Sequence, residues 1–456
     1  MKFIKALIPL GLVLAPNAQA CLTHEERYGI PQHTLQRRQT TNDSGLAIGT
    51  GDRFNDGTIV PRGLGTQPWQ TEMGEILSVK EIASGFKALV REYNLTAFES
   101  PYTTYENATI YGAQVGGNGK GDCSVHALFS AAAHARERGA PDNLLYFVAD
   151  LLYAYKNKQG LRYGGRGFTF EEVSQVYDVG LAFIPLINPD GVAWDQQTNT
   201  CWRKNRNPAA AKPGDPNSIG VDLNRNFDFL WDFNKYFEPE TAKFVASRNS
   251  SSLNFSGAGP ASEPETQTIV WVLDKFPAVS WFLDIHSFNV GTVLYNWGSD
   301  DMQTTDPAQN FRNDSYNAVR GLMVETEPNE LKAYREYTTR QQWSDWIYTA
   351  MRMCNAMEAA YNGSNYVAQQ SSHLYPTSGS ANDYVTARNI LNPALSKING
   401  YTVEFGFGNK DIPSCYFYPN SEIYHSNMYE TGAGFMEFLL TAREVGLDGG
   451  GSCSGI

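Results

Sequence analysis

The chain has 456 residues, of which 42% are hydrophobic and 13% aromatic, enough for one large α/β domain or two smaller ones. Asp and Glu (48) outnumber Lys and Arg (36), and the net charge of −12 argues against nucleic acid or an anionic membrane as the main partner. Beyond the N-terminal region no stretch is long and apolar enough to span a bilayer, so no membrane partner is expected.

The first twenty residues have the order of a secretory signal. Lys2 and Lys5 precede an apolar run over residues 6–15, and Ala18-Gln19-Ala20 fits a small-residue cleavage site. We therefore expect a secreted, extracellular and monomeric protein. Residues 21 to about 70 are poor in aliphatic side chains, and the dibasic pair Arg37-Arg38 is either a processing site or an ordinary exposed loop.

Six scattered cysteines argue for disulfides and against a cysteine metal site. In an oxidising compartment they allow up to three disulfides in any of fifteen full pairings. The secretory route also fits seven N-x-S/T sequons, which make the protein a candidate glycoprotein. The sequons begin at Asn42, Asn94, Asn107, Asn249, Asn254, Asn313 and Asn362.

From Ile76 onward, helical and strand-like patterns alternate along the chain. Helices are predicted over residues 79–93, 142–155 and 263–276. Buried strands are predicted over residues 124–133, 179–187, 279–285 and 401–405. Ser262 is the expected N-cap of the last helix, with Glu265 as its capping-box partner. The alternation predicts a single α/β domain whose mixed, mostly parallel central sheet is covered by helices on both faces. A polar insertion over residues 300–372 could form a lid or rim.

Histidines stand at the ends of two predicted strands. His134 and Glu137 lie three residues apart just after the first strand, so a single turn points both side chains the same way. His286 closes the strand over 279–285, and the carboxyl ends of parallel strands gather at one edge of a sheet. Two His and one Glu with an open position form the pattern of a catalytic zinc site. Each residue alone also fits a structural role, as a capped turn or a core histidine.

Four further segments carry polar residues in unusual settings. They are residues 201–206 with Arg203, residues 220–228 with Asp222, Asn224 and Arg225, residues 374–379 with Tyr375, and residues 402–405 with Glu404. Each alone fits a bland interpretation, such as surface charge, a turn or an aromatic anchor. Glu404 stands out because a carboxylate inside an apolar strand is costly without a partner or acquires a raised pKa.

Taken together, the motifs resemble the zinc metallocarboxypeptidases of the carboxypeptidase A/B type over roughly residues 75–445. They occur in family order as His-Ala-Arg-Glu, Asn-x-Asp-Gly, Trp-Arg-Lys, Gly-Val-Asp-x-Asn-Arg-Asn, Ser-Glu-x-Glu, His-Ser-aromatic and Val-Glu. The resemblance implies a hydrolase with one zinc ion per chain that acts on the C-termini of peptides and proteins. It divides the chain into a signal peptide (1–20), a short, poorly ordered leader or pro-segment (21–74), a catalytic domain (75–445) and a tail (446–456).

The resemblance also implies a role for each matching residue. Zinc would be bound by His134, Glu137 and His286, with Asp222 orienting the first histidine. Glu404 would be the general base that takes a proton from the water that zinc activates and passes it to the leaving amine. The remaining roles are oxyanion stabilisation by Arg203, a clamp on the substrate carboxylate by Asn224 and Arg225, a mobile cover by Tyr375, and a lining of the next subsite by Arg136.

Three departures and two alternatives qualify the resemblance. Asn382 stands where the pancreatic relatives carry an apolar residue or an acid, so a preference for neutral C-terminal residues is a hypothesis. Only some fifty residues precede the catalytic part, in place of a folded prodomain. Insertions over 300–372 and 386–400 are longer than in the pancreatic type. The alternatives are a catalytically impaired pseudoenzyme that binds peptide ends and a zinc amidohydrolase that acts on non-peptide acyl amides.

Overall fold

The computed structural model of the chain describes residues 45–68, 71–117, 121–287, 291–323, 334–450 and 453. The predicted signal peptide, Cys21 and Arg37-Arg38 lie outside these ranges. Within them, the helices are α1 (Val79–Tyr93), α2 (Ala140–Asn157), α3 (Phe170–Val179), α4 (Pro189–Thr198), α5 (Phe233–Tyr236), α6 (Pro239–Val245), α7 (Pro264–Lys275), α8 (Arg340–Ala360), α9 (Ser371–Leu374), α10 (Ala381–Leu391) and α11 (Ser421–Val445). None of these helices has the length and apolar content that a membrane-crossing segment requires.

An eight-stranded mixed sheet forms the centre of the domain. The described residues contain twelve strands, of which β4 with β5 and β9 with β10 form two separate two-stranded sheets. The strands are β1 (Thr96–Thr103), β2 (Thr109–Val115), β3 (Ala127–Ala131), β4 (Leu161–Tyr163), β5 (Arg166–Phe168), β6 (Leu181–Ile184), β7 (Trp281–Ser287), β8 (Thr292–Tyr295), β9 (Met302–Gln303), β10 (Glu336–Tyr337), β11 (Val367–Gln370) and β12 (Asn399–Phe405). The sheet order is β1-β2-β6-β3-β7-β12-β8-β11. The central strands β6, β3, β7 and β12 are parallel, whereas β1, β2 and β8 introduce antiparallel pairs. The predicted mixed sheet is confirmed.

Side chains alternate between two hydrophobic layers, one on each face of the sheet. In β7, Trp281, Leu283 and Ile285 belong to the larger layer, which α1, α2, α3, α8 and α11 cover. Phe282 belongs to the smaller layer, under α7 and α10. Because neighbouring strand residues point to opposite faces, Asp284 and His286 follow Phe282 on this second side. The sheet is thus covered on both faces, as the sequence predicts.

Residues 45–68 and 71–74 belong to the core, which corrects the expectation of a poorly ordered leader up to residue 74. Phe54, Leu64 and Met73 are buried in the larger layer. Ile48 pairs with Ile76, and the amide of Leu46 donates to the carbonyl of Pro419. A few apolar residues spread over a long polar stretch are therefore enough to fasten it to the domain, a pattern without the periodicity of a helix or strand.

The predicted insertion over 300–372 likewise contributes to the main body. α8 buries Trp346, Met353 and Met357 against the larger layer, and β11 forms the edge of the central sheet. The helix predicted over 263–276 is present as α7, but its cap differs from the prediction. Ser262 bonds to Glu263, the N-cap, and Glu265 turns inward to accept from Asn205 Nδ2 at 3.0 Å.

Two disulfides join distant parts of the chain, Cys123–Cys453 and Cys201–Cys415. Cys354 is a buried free thiol, so three disulfides do not form among the described cysteines. One sequon is also unsuited to glycosylation in the folded state. Asn254 is 5% exposed and its amide nitrogen, the atom that a glycan would modify, donates to the carbonyl of Phe244.

Several buried carboxyl groups have raised pKa values because burial disfavours their charged forms. The pKa of Glu265 and that of Glu336 rise to about 8, and those of Asp300 and Asp383 rise to about 7. Glu336 also accepts from the hydroxyl of Tyr334 at 2.5 Å. The folded protein therefore holds protons on these groups at a pH where the unfolded chain has released them.

We predict that the melting temperature of the metal-free protein falls as pH rises from about 5 to about 9. The unfolded carboxyls titrate near 3.8 and 4.5, whereas the folded ones titrate near 7 to 8, so their stabilisation is complete below pH 4 and is lost as pH rises through 7 to 8. Thermal unfolding in chelator across this range measures the slope. Glu336→Gln should make the slope shallower, whereas the exposed control Glu240→Gln should not. A melting temperature that rises with pH would contradict this prediction.

Candidate metal centre and substrate cleft

A tight turn after β3 brings His134 to the edge of the sheet. Ala132 has a φ of +65°, which is rare for a residue with a side chain, and it turns the chain sharply at the strand end. Asn188, at the end of the next parallel strand, donates from Nδ2 to the carbonyl of Ala133 at 3.0 Å. The amide of Ala135 donates to the carbonyl of Arg203. Two loops from neighbouring strands are thereby joined through the backbone of this turn.

His286 and Glu404 reach the same edge as adjacent residues on paired strands. β7 and β12 run parallel, and their register pairs Glu404 with His286. Both side chains are buried, at 3% exposure for Glu404 and 0% for His286. The sequence predicts two strand ends but not their pairing, which sets the two side chains next to each other.

His134, Glu137 and His286 converge, as their positions at the strand ends predict. His134 Nδ1 lies 2.7 Å from Glu137 Oε1, and His286 Nδ1 lies 3.0 Å from Glu137 Oε2. The two Nδ1 atoms are 3.0 Å apart. All three residues are buried, and one potential ligand atom from each lies within 4.8 Å of the others.

The outer ring nitrogen, Nε2, of each histidine is hydrogen-bonded to a carboxylate of its own. His134 Nε2 lies 3.0 Å from Asp222 Oδ1, and His286 Nε2 lies 2.8 Å from Asp284 Oδ2. Arg203 in turn donates from Nε and Nη2 to the other oxygen of Asp222, at 3.1 and 2.8 Å. This network assigns the ring protons to Nε2, so that both Nδ1 atoms carry lone pairs.

These three groups fit a metal ion. Two imidazole lone pairs and a carboxylate face one point in the protein interior, an arrangement whose partial negative charges repel unless a cation lies between them. Nitrogen and oxygen donors of this kind, three in number, match the ligand set of catalytic zinc sites. Among the described residues, this is the one group of three or more His, Cys, Asp or Glu side chains with metal-binding spacing.

The pKa values of Glu137, Asp222 and His134 are all lowered in the site, which favours charged carboxylates and a neutral imidazole. Burial works against ionisation of Glu137 and Asp222, yet nearby cationic groups outweigh it. In their protonated forms the two histidines hold the pKa of Glu137 below its usual range, and Arg203 together with protonated His134 does so for Asp222. Burial and the charge of Arg203 lower the pKa of His134, which favours the neutral imidazole that a metal requires.

Most of the other predicted residues line one cleft that starts at His134. The lining includes Arg203, Asn224, Arg225, Leu294, Ser371, Leu374, Tyr375, Thr377, Ser380, Asn382, Thr402 and Glu404. Residues from six separate segments of the sequence, including the one with His134, therefore share one cavity.

Arg225 is a second cationic residue in the lining of this cleft, in addition to Arg203. Its Nη1 donates to the carbonyl of Asn224 at 2.6 Å, and its Nη2 donates to the hydroxyl of Tyr375 at 3.3 Å. Asn224 accepts from the amide of Ala381 at its side-chain oxygen. Gly379 permits this close packing, because its φ is +67° and a Cβ there would lie 2.5 Å from the carbonyl oxygen of Arg225.

Asn382 and Arg136 have different positions relative to the cleft. Asn382 lines it, is 4% exposed and donates from Nδ2 to Ser371 Oγ at 3.0 Å. Arg136 is buried with its guanidinium 4.2 Å from the ring centre of Phe417, and it is not among the residues that line the cleft. The sequence places Asn188, the first residue of the Asn-x-Asp-Gly motif, after the second predicted strand but does not indicate its role as a bridge between loops, and it does not single out Asp284. The spacing of Asp284 from His286, two residues along a strand, was the available signal.

Comparisons with known proteins agree with this geometry. The profile of a family described as zinc carboxypeptidase matches residues 86–430. Human carboxypeptidase O is 27% identical over 369 residues, which cover 73% of this chain and 78% of that protein. Carboxypeptidase B of Astacus astacus is 25% identical over 272 residues, 58% of this chain and 80% of that protein.

The fold is also similar to that of solved carboxypeptidase structures. The crystal structure of carboxypeptidase A from Helicoverpa armigera superposes with a TM-score of 0.57 at 20% identity, over 81% of this chain and 74% of that one. At this level of identity the structural likeness concerns the fold alone. Because the family profile covers most of the sequence, including the buried metal-binding group, the chain belongs to the zinc carboxypeptidase family and is a metallocarboxypeptidase, a hydrolase.

Proposed function

We propose that this protein removes single residues from the C-termini of peptides and proteins with one zinc ion per chain. The observation that carries the proposal is the shared cleft, which is lined both by His134 of the metal-binding group and by Arg225. A carboxypeptidase needs both features, because it must hold a free carboxylate at a fixed distance from the bond that it cuts.

His134, Glu137 and His286 would hold the zinc ion, which when bound would polarise the scissile carbonyl and lower the pKa of a water molecule. Glu404 suits the general base. It is buried beside His286 and lines the same cleft. In this role its carboxylate accepts the proton from the attacking water and then donates it to the nitrogen of the leaving amine, so the same proton serves both steps.

Arg203 suits the stabilisation of negative charge at the substrate oxygen. Its Nε and Nη2 are engaged by Asp222, which fixes the plane of the guanidinium, while Nη1 lies 3.3 Å from His134 Nδ1 at the metal-binding group. A cation held rigidly at this position favours an oxyanion without having to reorganise during the reaction. Asp222 thereby orients both His134 and Arg203.

Asn224 and Arg225 suit a clamp on the terminal carboxylate of the substrate. The side-chain oxygen of Asn224 already accepts from Ala381, which leaves its NH₂ group to donate to a ligand. The planar guanidinium of Arg225 matches a carboxylate in shape and charge. Tyr375, whose hydroxyl accepts from Arg225, is suited to cover the bound end group. An endopeptidase has no need of such a clamp, so these residues favour an exopeptidase.

The side-chain pocket favours neutral residues. Asn382, Ser371, Thr377 and Thr402 provide hydroxyl and amide groups, and Leu294 and Leu374 provide apolar surface. None of these lining residues carries a charge that could pair with a basic or acidic side chain. We further propose that the mature protein is secreted and monomeric, in line with the signal-like N-terminus and the two disulfides.

Zinc should stabilise the chelator-treated protein. A ligand that binds only the folded state raises the melting temperature in proportion to the logarithm of its concentration above Kd. We expect an upward shift on adding zinc that is absent in His286→Ala. The control is His425→Ala, at a partly buried histidine of α11 outside the metal-binding group, and it should respond as the native protein does. An equal response of native protein and His286→Ala would contradict the proposed ligand set.

The central experiment incubates the mature protein with mixed peptides and identifies the products by mass spectrometry. We expect loss of single C-terminal residues, abolished by chelator and not seen on the same peptides with amidated C-termini, because Arg225 would lack its carboxylate. Glu404→Gln should bind zinc with native affinity yet lose about 10²- to 10⁴-fold in kcat, since the amide cannot accept the proton.

Other results would select an alternative or reject the proposal. Zinc binding with peptide association but no turnover indicates the pseudoenzyme. Cleavage of acyl amides without cleavage of peptides indicates the amidohydrolase. Internal cuts reject the exopeptidase proposal.

The pocket can be tested with peptides that differ only in the C-terminal residue. We expect neutral residues to be released with the highest kcat/KM, and Asn382→Asp to raise the relative rate for Lys and Arg through a new charge pair. Asn392→Asp, an exposed change of the same charge beyond α10, is the control. A large advantage for basic residues in the native enzyme would refute the neutral preference.

A further inference from the structure

We propose that Asp284 is a positioning residue that orients His286 as a metal ligand, an inference that rests on the proposed zinc site. Asp284 and His286 lie two residues apart in β7, so their side chains project from the same face of the sheet. The carboxylate oxygen Oδ2 lies 2.8 Å from His286 Nε2, with side-chain exposures of 5% for Asp284 and 0% for His286. The imidazole is thus hydrogen-bonded on its Nε2 side, and Nδ1 is directed to the other metal-binding residues.

The strand register keeps this carboxylate in place. Asp284 pairs with Ser130 of β3 on one side and with Thr402 of β12 on the other. Asp284 therefore lies in a central strand of the sheet, two residues before His286, the residue that pairs with Glu404. A side chain held by parallel neighbours on both flanks can fix a ring plane more rigidly than a side chain on a loop.

Asp284 acts from outside the substrate cleft. It lines a neighbouring pocket together with Ser130, Glu265 and Thr266. That pocket shares Asn224 with the substrate cleft, but Asp284 itself is not among the residues of the cleft. A contribution to the reaction must therefore pass through His286. The carboxylate of Asp284 accepts a hydrogen bond from Nε2–H of His286, which fixes the tautomer of the ring and makes Nδ1 a stronger lone-pair donor.

Each histidine of the centre would then have its own carboxylate, provided in two different ways. Asp222 reaches His134 across 88 positions of sequence and is itself held by Arg203. Asp284 reaches His286 within one strand, and His286 is its hydrogen-bond partner among the described residues. The hydrogen bond that orients His286 is thus formed within one strand and does not involve the loop that carries Asp222.

The test measures zinc affinity by competition with a chromogenic chelator, without using turnover. Asp284→Asn and Asp284→Ala should each weaken zinc binding by about 10- to 100-fold, the range found when such outer partners are removed. The visible spectrum of the cobalt-substituted protein should also change, because the plane of His286 is no longer fixed. Asp222→Asn is the positive control.

Asp150→Asn is the matched control for loss of a buried carboxylate. Asp150 is equally buried but lies in α2, where it accepts from Gly65, Thr66 and Tyr163. Its substitution should lower the melting temperature and leave zinc affinity and the cobalt spectrum unchanged. Zinc affinity of folded Asp284→Asn within twofold of the native value, with an unchanged spectrum, would overturn the inference. Failure of the native protein to bind zinc would instead overturn the proposed function.

Discussion

The buried convergence of two imidazole lone pairs and a carboxylate is the constraint on which the site depends. His134, Glu137 and His286 face one another at about 3 Å in the protein interior, where like partial charges are weakly screened. Such a group is stable around a cation and strained without one. Asp222 and Asp284 direct the ring protons outward and so give the three ligands a common inward direction. Metal binding and the precise packing of this end of the sheet are therefore linked.

The parallel centre of the sheet supplies the rigidity that this convergence requires. β3, β7 and β12 end at one edge, and their register sets His286 beside Glu404. The loops after the strands are joined to one another through backbone and amide contacts, notably those of Asn188 and Gly379. Because these contacts link segments far apart in sequence, a change in one loop alters the position of the next. The cleft that contains both His134 and Arg225 is thus assembled from segments far apart in sequence.

Away from the metal-binding group, the interior of the domain contains several acidic side chains that hold their protons to higher pH than they would in water. Glu265, Asp300, Glu336 and Asp383 are buried with raised pKa values, and Asp383 directly follows the pocket residue Asn382. In the metal-binding group, by contrast, Glu137 and its neighbour Asp222 have lowered pKa values. Burial dominates at Glu265, Asp300, Glu336 and Asp383, whereas neighbouring charges and hydrogen bonds outweigh it at Glu137 and Asp222.

The sequence by itself determined the mixed α/β sheet, the strand ends that carry His134 and His286, and the motifs that identify the family. Periodicity and short spacings carry this information because they depend on contacts within a single element. Only the tertiary structure decided the pairing of Glu404 with His286, the packing of residues 45–68 and 71–74 against the core, and the inward turn of Glu265. It also decided that the carboxylate of Asp284 is hydrogen-bonded to His286. Each of these depends on which distant segments pack together, and the register and burial that govern such packing are not written in local sequence.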